Sequence, residues 1–155
     1  MSDVSFSFSI QGDAEGYVTF ECPFCGSEFK LKANEVQSDD NPVMELFCPY
    51  CGLTNGVTDF YTEEVMEKAQ SMVENYMIEQ LNNTFGTAAR QINSSGKGFI
   101  KMDFKPLEKV HVKEIREQDT AEVVFNCRCC NNTVKVLYCA GMSKIFCSYC
   151  GVDIV

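Results

Sequence analysis

The chain has 155 residues, 45% apolar and 23% charged, with a formal charge of −9. That length suits one compact domain or two small ones. No apolar run approaches the roughly 18 residues of a membrane-spanning helix, and a charge of this sign repels phosphate backbones at long range, which excludes a generally basic nucleic-acid coat.

From the first residue, "MSDVSFSFSIQGDAEG" has neither a basic leader nor a continuous apolar stretch, so no secretory signal is read and a cytoplasmic protein is expected. "SFSFSI" (5–10) alternates as a half-buried strand does. Ten cysteines then dominate the reading. In a reducing compartment they point to metal rather than disulfides.

The cysteines lie in a repeat. "VTFECPFCGSEFKLK" (18–32) superposes on "VVFNCRCCNNTVKVL" (123–137) at an offset of 105, with Cys22 on Cys127, Cys25 on Cys130 and Lys30 on Lys135. "LFCPYCG" (46–52) superposes on "IFCSYCG" (145–151) at an offset of 99, with Cys48 on Cys147 and Cys51 on Cys150. An internal repeat governs the fold class. Two cysteines separated by two residues sit on a tight turn that aims both sulfurs at one point, and a glycine after the second permits the positive φ by which the chain leaves.

Two such knuckles supply the four thiolates of a tetrahedral site. The expected quartets are Cys22, Cys25, Cys48, Cys51 and Cys127, Cys130, Cys147, Cys150. Pairing of knuckles across the copies, 22/25 with 127/130, stays open at this level. Zinc, two ions per chain, is the expected occupant, because it is the commoner guest of a closed four-thiolate site; rubredoxin-type iron sites use similar knuckles. Between the knuckles, "EFKLKA" and "TVKVLY" alternate as outgoing strands, with "MELF" and "KIF" as returning ones. Cys129 aligns with Phe24 inside a knuckle and Cys139 falls in the central loop, so neither is expected to bind metal.

From Thr62, "TEEVMEKAQSMVENYMIEQLNNTFG" has apolar residues at helical spacing, acids in its first turn and a glycine, Gly86, that offers an end, with "TAARQI" beyond it as an alternative continuation of another turn or two. Its methionines give an adaptable face, so a homo-oligomer through helix 62–86 is one expectation. "NSSGKG" reads as a loop, "FIKMDFK" and "KVHVK" as short strands. Charge is uneven. Residues 1–89 hold 15 acids and three bases, net −12, whereas residues 90–155 hold ten bases and seven acids, net +3. A strip from Lys97 to Arg116 carries the positive excess.

The run "GYVTFECPFCG…LFCPYCG…FYTEEV" resembles bacterial proteins with a transcription factor IIB-type zinc ribbon, over about residues 16–65. The resemblance implies a metal-built fold and little about activity. The second copy departs from it, with Arg128 and Ser148 at the knuckle prolines and Asn131 at the glycine.

The expected fold class is therefore α+β, small and metal-stabilised: two β zinc ribbons from an internal duplication, joined by an amphipathic helix and short strands. Residues 1–60 form the N-terminal strand and first ribbon, 61–96 the helix and linker, and 97–155 short strands and the second ribbon. With one histidine, His111, and thiolate sets that leave no open ligand position, no enzyme is expected. The function read from the sequence is a zinc-binding adaptor or regulator acting on a protein partner. The alternative is nucleic-acid binding through the Lys97–Arg116 strip.

Overall fold

A computed structural model of the chain describes residues 4–38, 40, 42–95, 101–115, 122–137 and 144–154. Lys97, Arg116 and Cys139, named above, lie outside the described residues. The chain forms two compact units, Ser9–Val65 with Ile115–Val155, and Met1–Phe8 with Met66–Glu114.

In the first of these units, strands β1 (Tyr17–Glu21) and β2 (Glu28–Lys32) form an antiparallel hairpin whose turn is the Cys22–Gly26 knuckle. A four-residue helix α1 (Ala33–Val36) follows. Strands β3 (Glu45–Phe47) and β4 (Thr54–Gly56) form a second hairpin around the Cys48–Gly52 knuckle. The later part of the chain adds β5 (Glu122–Asn126) and β6 (Thr133–Leu137), a hairpin around the Cys127–Asn131 knuckle.

These strands combine into one four-stranded sheet of order β1-β2-β6-β5. The seam is the β2–β6 pair, with Lys30 opposite Lys135 and Leu31 opposite Val134. The outgoing strands β2 and β6 therefore pair with the strands before their knuckles and with each other, and the returning segments stay out of this sheet. Each knuckle is itself a hairpin turn, so the strands flanking it pair with each other, and β2 spends its free edge on β6. The returning "KIF" segment makes a single bridge, Phe146 to Asp153.

Alternation along the paired strands sorts the side chains. Phe29, Leu31, Val134 and Val136 enter a core completed by Leu46, Phe60 and Ile145, all with almost no exposure. Lys30 and Lys135 point to the other face, beneath the 10–16 segment, and are nevertheless buried. Asp13 receives both ammonium groups, at 3.5 Å from Lys30 Nζ and 3.2 Å from Lys135 Nζ. Its Oδ1 also accepts the backbone N–H groups of Glu15 and Tyr17. Glu15 and Glu122 add further carboxylates, and the Tyr17 ring lies under Lys135 Nζ at 4.6 Å. Burying two cations is costly unless each is paired, and this loop supplies the pairing.

The second unit is organised by helix α2 (Glu63–Ser94), which runs through Gly86 rather than ending there. Gly86 lacks the positive φ of a helix-terminating glycine, and the Phe104 ring sits 3.9 Å from where its Cβ would be. Residues 101–115 are not the two short strands expected; they follow the helix without regular structure. Three asparagines of α2 supply what a neighbouring strand would. Asn93 donates to Met102 O and accepts Met102 N–H. Asn82 does the same for Leu107, and Asn75 for Val110.

The spacing is metric. Eleven helical residues rise about 16 Å, the length of five extended residues at about 3.3 Å each, and 93→82 meets 102→107. Seven helical residues rise about 10 Å, and 75 and 82 meet 110 and 107, three extended residues apart. The pattern "SFSFSI" likewise forms no strand. Phe6 packs edge-on against Tyr76 at 5.3 Å and Phe8 lies under Lys68 Nζ, so the alternation serves contact with a helix. Asn82→Ala removes two main-chain hydrogen bonds at the middle of the ladder. The expected result is a loss of about 1–3 kcal/mol, seen as faster amide exchange at Leu107 and Val110 with the first unit unchanged.

Candidate metal centres

Each of the four knuckles closes in the same way. The first cysteine donates its N–H to a residue five positions on: Cys22 to Ser27 O, Cys48 to Leu53 O, Cys127 to Asn132 O and Cys147 to Val152 O, at 2.8–3.0 Å. The residue four positions on donates back to that cysteine's carbonyl, at 2.9 Å in all four. This residue has positive φ every time, in Gly26, Gly52, Asn131 and Gly151. Asparagine tolerates that conformation better than other side chains, which is how the third knuckle dispenses with glycine. Backbone N–H groups inside the turns point at sulfur, Phe24 N to Cys22 Sγ and Tyr50 N to Cys48 Sγ at 3.4 Å, and Tyr149 N to Cys147 Sγ at 3.5 Å.

The eight cysteines singled out by spacing gather as two quartets: Cys22, Cys25, Cys48 and Cys51, and Cys127, Cys130, Cys147 and Cys150, each with its sulfurs within 4.8 Å of one another. The 22/25 knuckle thus combines with 48/51 and the 127/130 knuckle with 147/150, not 22/25 with 127/130. Sulfur–sulfur separations are 3.8 Å for 22–51, 3.6 Å for 25–48 and 127–150, and 3.5 Å for 130–147. A tetrahedron with metal–sulfur bonds of roughly 2.3 Å has edges of about 3.8 Å, whereas a disulfide needs about 2.05 Å. The donor set fits a tetrahedral thiolate-bound ion. One cysteine of each knuckle, Cys22, Cys48, Cys127 and Cys147, is buried.

Without a cation the thiols sit unevenly. Burial pushes Cys48 and Cys147 up strongly, against the backbone N–H groups that favour their thiolates. Burial also opposes ionisation of Cys25, but hydrogen bonds from Ser27 and the neighbouring thiols overcome it and bring Cys25 down to about 7. Cys127 likewise falls to about 7 against its burial, through the N–H groups of Cys130 and Cys129. Cys129 is exposed and belongs to neither quartet.

The two quartets share their surroundings through reciprocal contacts. Phe47 N–H donates to Ser148 O at 2.8 Å, and its counterpart Phe146 N–H donates to Pro49 O at 2.9 Å. A Cβ on Gly151 would meet the Phe47 ring at 2.8 Å, and one on Gly52 the Phe146 ring at 3.3 Å. A Cβ on Gly26 would meet nothing within 4 Å. Gly26→Ala is therefore expected to cost only the left-handed backbone penalty, about 1–2 kcal/mol. Gly151→Ala adds a clash with a ring and is expected to cost clearly more, read as the difference between the two melting temperatures.

Three polar side chains that spacing did not single out brace this region. Tyr50 Oη donates to Glu28 O at 2.7 Å and accepts Leu137 N–H at 3.2 Å, bridging the two hairpins at the seam. Glu35 accepts Thr133 N–H at 2.9 Å and Tyr149 Oη at 3.1 Å, tying α1 to the exit of the third knuckle. Asp13 is the third. The repeat placed the two tyrosines in register, but nothing local in the sequence marks the acids as their partners or those of the lysines. No family model, no curated protein and no solved structure matches this chain.

Proposed function

We propose that the protein is a cytoplasmic, non-enzymatic adaptor that binds two zinc ions, built on two copies of one zinc ribbon, and that it acts by contact with another protein. The observation that carries this reading is the closure of both quartets. Each is four thiols and nothing else, so zinc held there has no position left for water or substrate, and its contribution is to the fold. Duplication is supported by the reciprocal pairs Phe47–Ser148 and Phe146–Pro49, and by Lys30 facing its own counterpart Lys135 across the seam. The four-thiolate chemistry and the knuckle geometry support the likeness of the first copy to transcription factor IIB-type ribbons.

Charge favours a protein partner over nucleic acid. Lys30 and Lys135 are buried against carboxylates, and Lys109 and Lys144 pair with Glu79 and Asp153 at 2.8 and 3.6 Å, so these lysines already have partners within the chain. Two four-thiolate zinc sites would lower the net charge further, to about −13. The test is titration of single- and double-stranded nucleic acid across a salt series. Absence of binding at low salt is expected. Tight, steeply salt-dependent binding that is lost on changing Lys101 and Lys105 together would replace this reading with the nucleic-acid one.

A further inference from the structure

Helix α2 uses one face for the asparagine ladder and leaves another largely open, with Phe85 at its edge beside the Phe104 ring at 6.0 Å. Met66, Val73, Met77, Leu81, Phe85 and Ile92 are each between 41% and 59% exposed. At 100° per residue they fall on one face about 120° wide, centred about 130° round the helix from Asn75, Asn82 and Asn93. Single exposed apolar residues need no explanation, but a contiguous stripe marks an interaction surface.

The order of residues along the stripe identifies what covers it. The six positions are symmetric about residue 79: Met77 and Leu81 lie two residues to either side, Val73 and Phe85 six, Met66 and Ile92 thirteen. A helix with this property is complementary to itself when turned end for end. Placed antiparallel on a second copy with residue 79 at the two-fold axis, each position lies level with its mate, and Met77 and Leu81, about 20° to either side of the face centre, meet across the axis. The pairs are Met66 with Ile92, Val73 with Phe85, and Met77 with Leu81.

Charge selects the same arrangement. Five acids, Glu63, Glu64, Glu67, Glu74 and Glu79, lie in the first part of the helix, and beyond Glu79 the only charged residue is Arg90. A parallel pair would stack acid on acid. An antiparallel pair lays the acidic part of each helix along the nearly uncharged part of the other. Opposed helix dipoles favour that direction too.

We propose that α2 is the interface of an antiparallel, two-fold symmetric homodimer, with Met66, Val73, Met77, Leu81, Phe85 and Ile92 as its contact row. The interface is closed and uses the same surface on both copies. The contact row spans 26 residues, about 39 Å of helix. The proposal does not rest on the metal reading, since none of these residues belongs to a thiol quartet.

Sedimentation velocity on the full chain from about 1 µM to about 1 mM covers the range of modest interfaces. A reversible monomer–dimer shift is expected, and a wild-type protein that stays monomeric throughout overturns the proposal without recourse to any variant. Direction is read by charge exchange at facing positions. Met77→Lys alone and Leu81→Glu alone are each expected to weaken the dimer at least about tenfold, some 1.4 kcal/mol. The double variant in one chain restores it, because antiparallel pairing sets each lysine opposite a glutamate. Both positions are exposed, so helical circular dichroism stays at the wild-type level. A dimer indifferent to the single changes, or a double variant no tighter than the singles, overturns the antiparallel register.

Discussion

Replacing Cys48 with serine is expected to cost the protein both metal ions, not one. Cys48 is buried in the first quartet, and its knuckle carries Pro49, whose carbonyl holds Phe146 of the second. The two hairpin sets share one sheet through β2 and β6 and one core in which Leu46 and Ile145 lie together. Structural zinc contributes about 10–16 kcal/mol to small folds of this kind, far more than a domain's net stability. Loss of one quartet therefore releases the seam and the phenylalanine contacts that shape the other. Metal analysis after gel filtration without added zinc reads the outcome. A Cys48→Ser chain that keeps one ion and a native second quartet would mean that the two quartets fold independently. Cys129→Ser is the control, expected to keep the wild-type metal content, since this thiol stands outside both quartets.

The second large effect is expected at Asp13. Its side chain has no exposure and faces two buried lysines as well as two backbone N–H groups. Asp13→Asn leaves a buried pair of cations short of their shared anion, and breaking such a pair costs about 3–5 kcal/mol. For a chain of this size that is a fall of roughly 10 °C in melting temperature. Adding Lys135→Met to Asp13→Asn removes one uncompensated charge and should recover part of the loss. A single variant within a degree or two of wild type would show that the cluster is solvated.

The pH dependence has a definite sign. Burial works against the Asp13 carboxylate, but the N–H groups of Tyr17 and Glu15 and the Lys135 ammonium hold it below the usual range. Its contribution is present above the ordinary carboxylate pKa and is lost as pH falls through the depressed folded value. Burial likewise opposes the Lys135 charge, and Glu15 and Asp13 raise its pKa in spite of it. That contribution is present below the ordinary lysine pKa and is lost as pH rises through the raised folded value.

How much of this was legible in the sequence differs by feature. The eight quartet cysteines could be read directly, because C-x-x-C encodes its own turn and the repeat separates Cys129 from its neighbours. The long helix was legible from its apolar period; between an end at Gly86 and continuation through "TAARQI" the period did not choose, and the helix takes the second course, with Phe104 packed beside Gly86 from 18 residues away. The seam was hidden for the same reason. β2 meets β6 about 105 residues later, and no local pattern says which edge a strand will use. Three alternating stretches read as strands, "SFSFSI", "FIKMDFK" and "KVHVK", form none among their described residues; they meet a helix instead, where the period of two serves aromatic contacts and the asparagine ladder. The ladder left a trace that could have been followed, asparagines at 75, 82 and 93, whose spacings of seven and 11 keep one side of a helix.

The central claim is that eight thiolates in two quartets hold the sheet together. Native mass spectrometry of the purified chain, combined with thiol titration before and after chelation, measures it most directly. The account predicts two zinc ions per chain, eight cysteines protected until the chelator acts, and loss of the β5–β6 and β1–β2 hairpins when it does. A folded chain carrying no metal, or quartet sulfurs joined as disulfides, would contradict it.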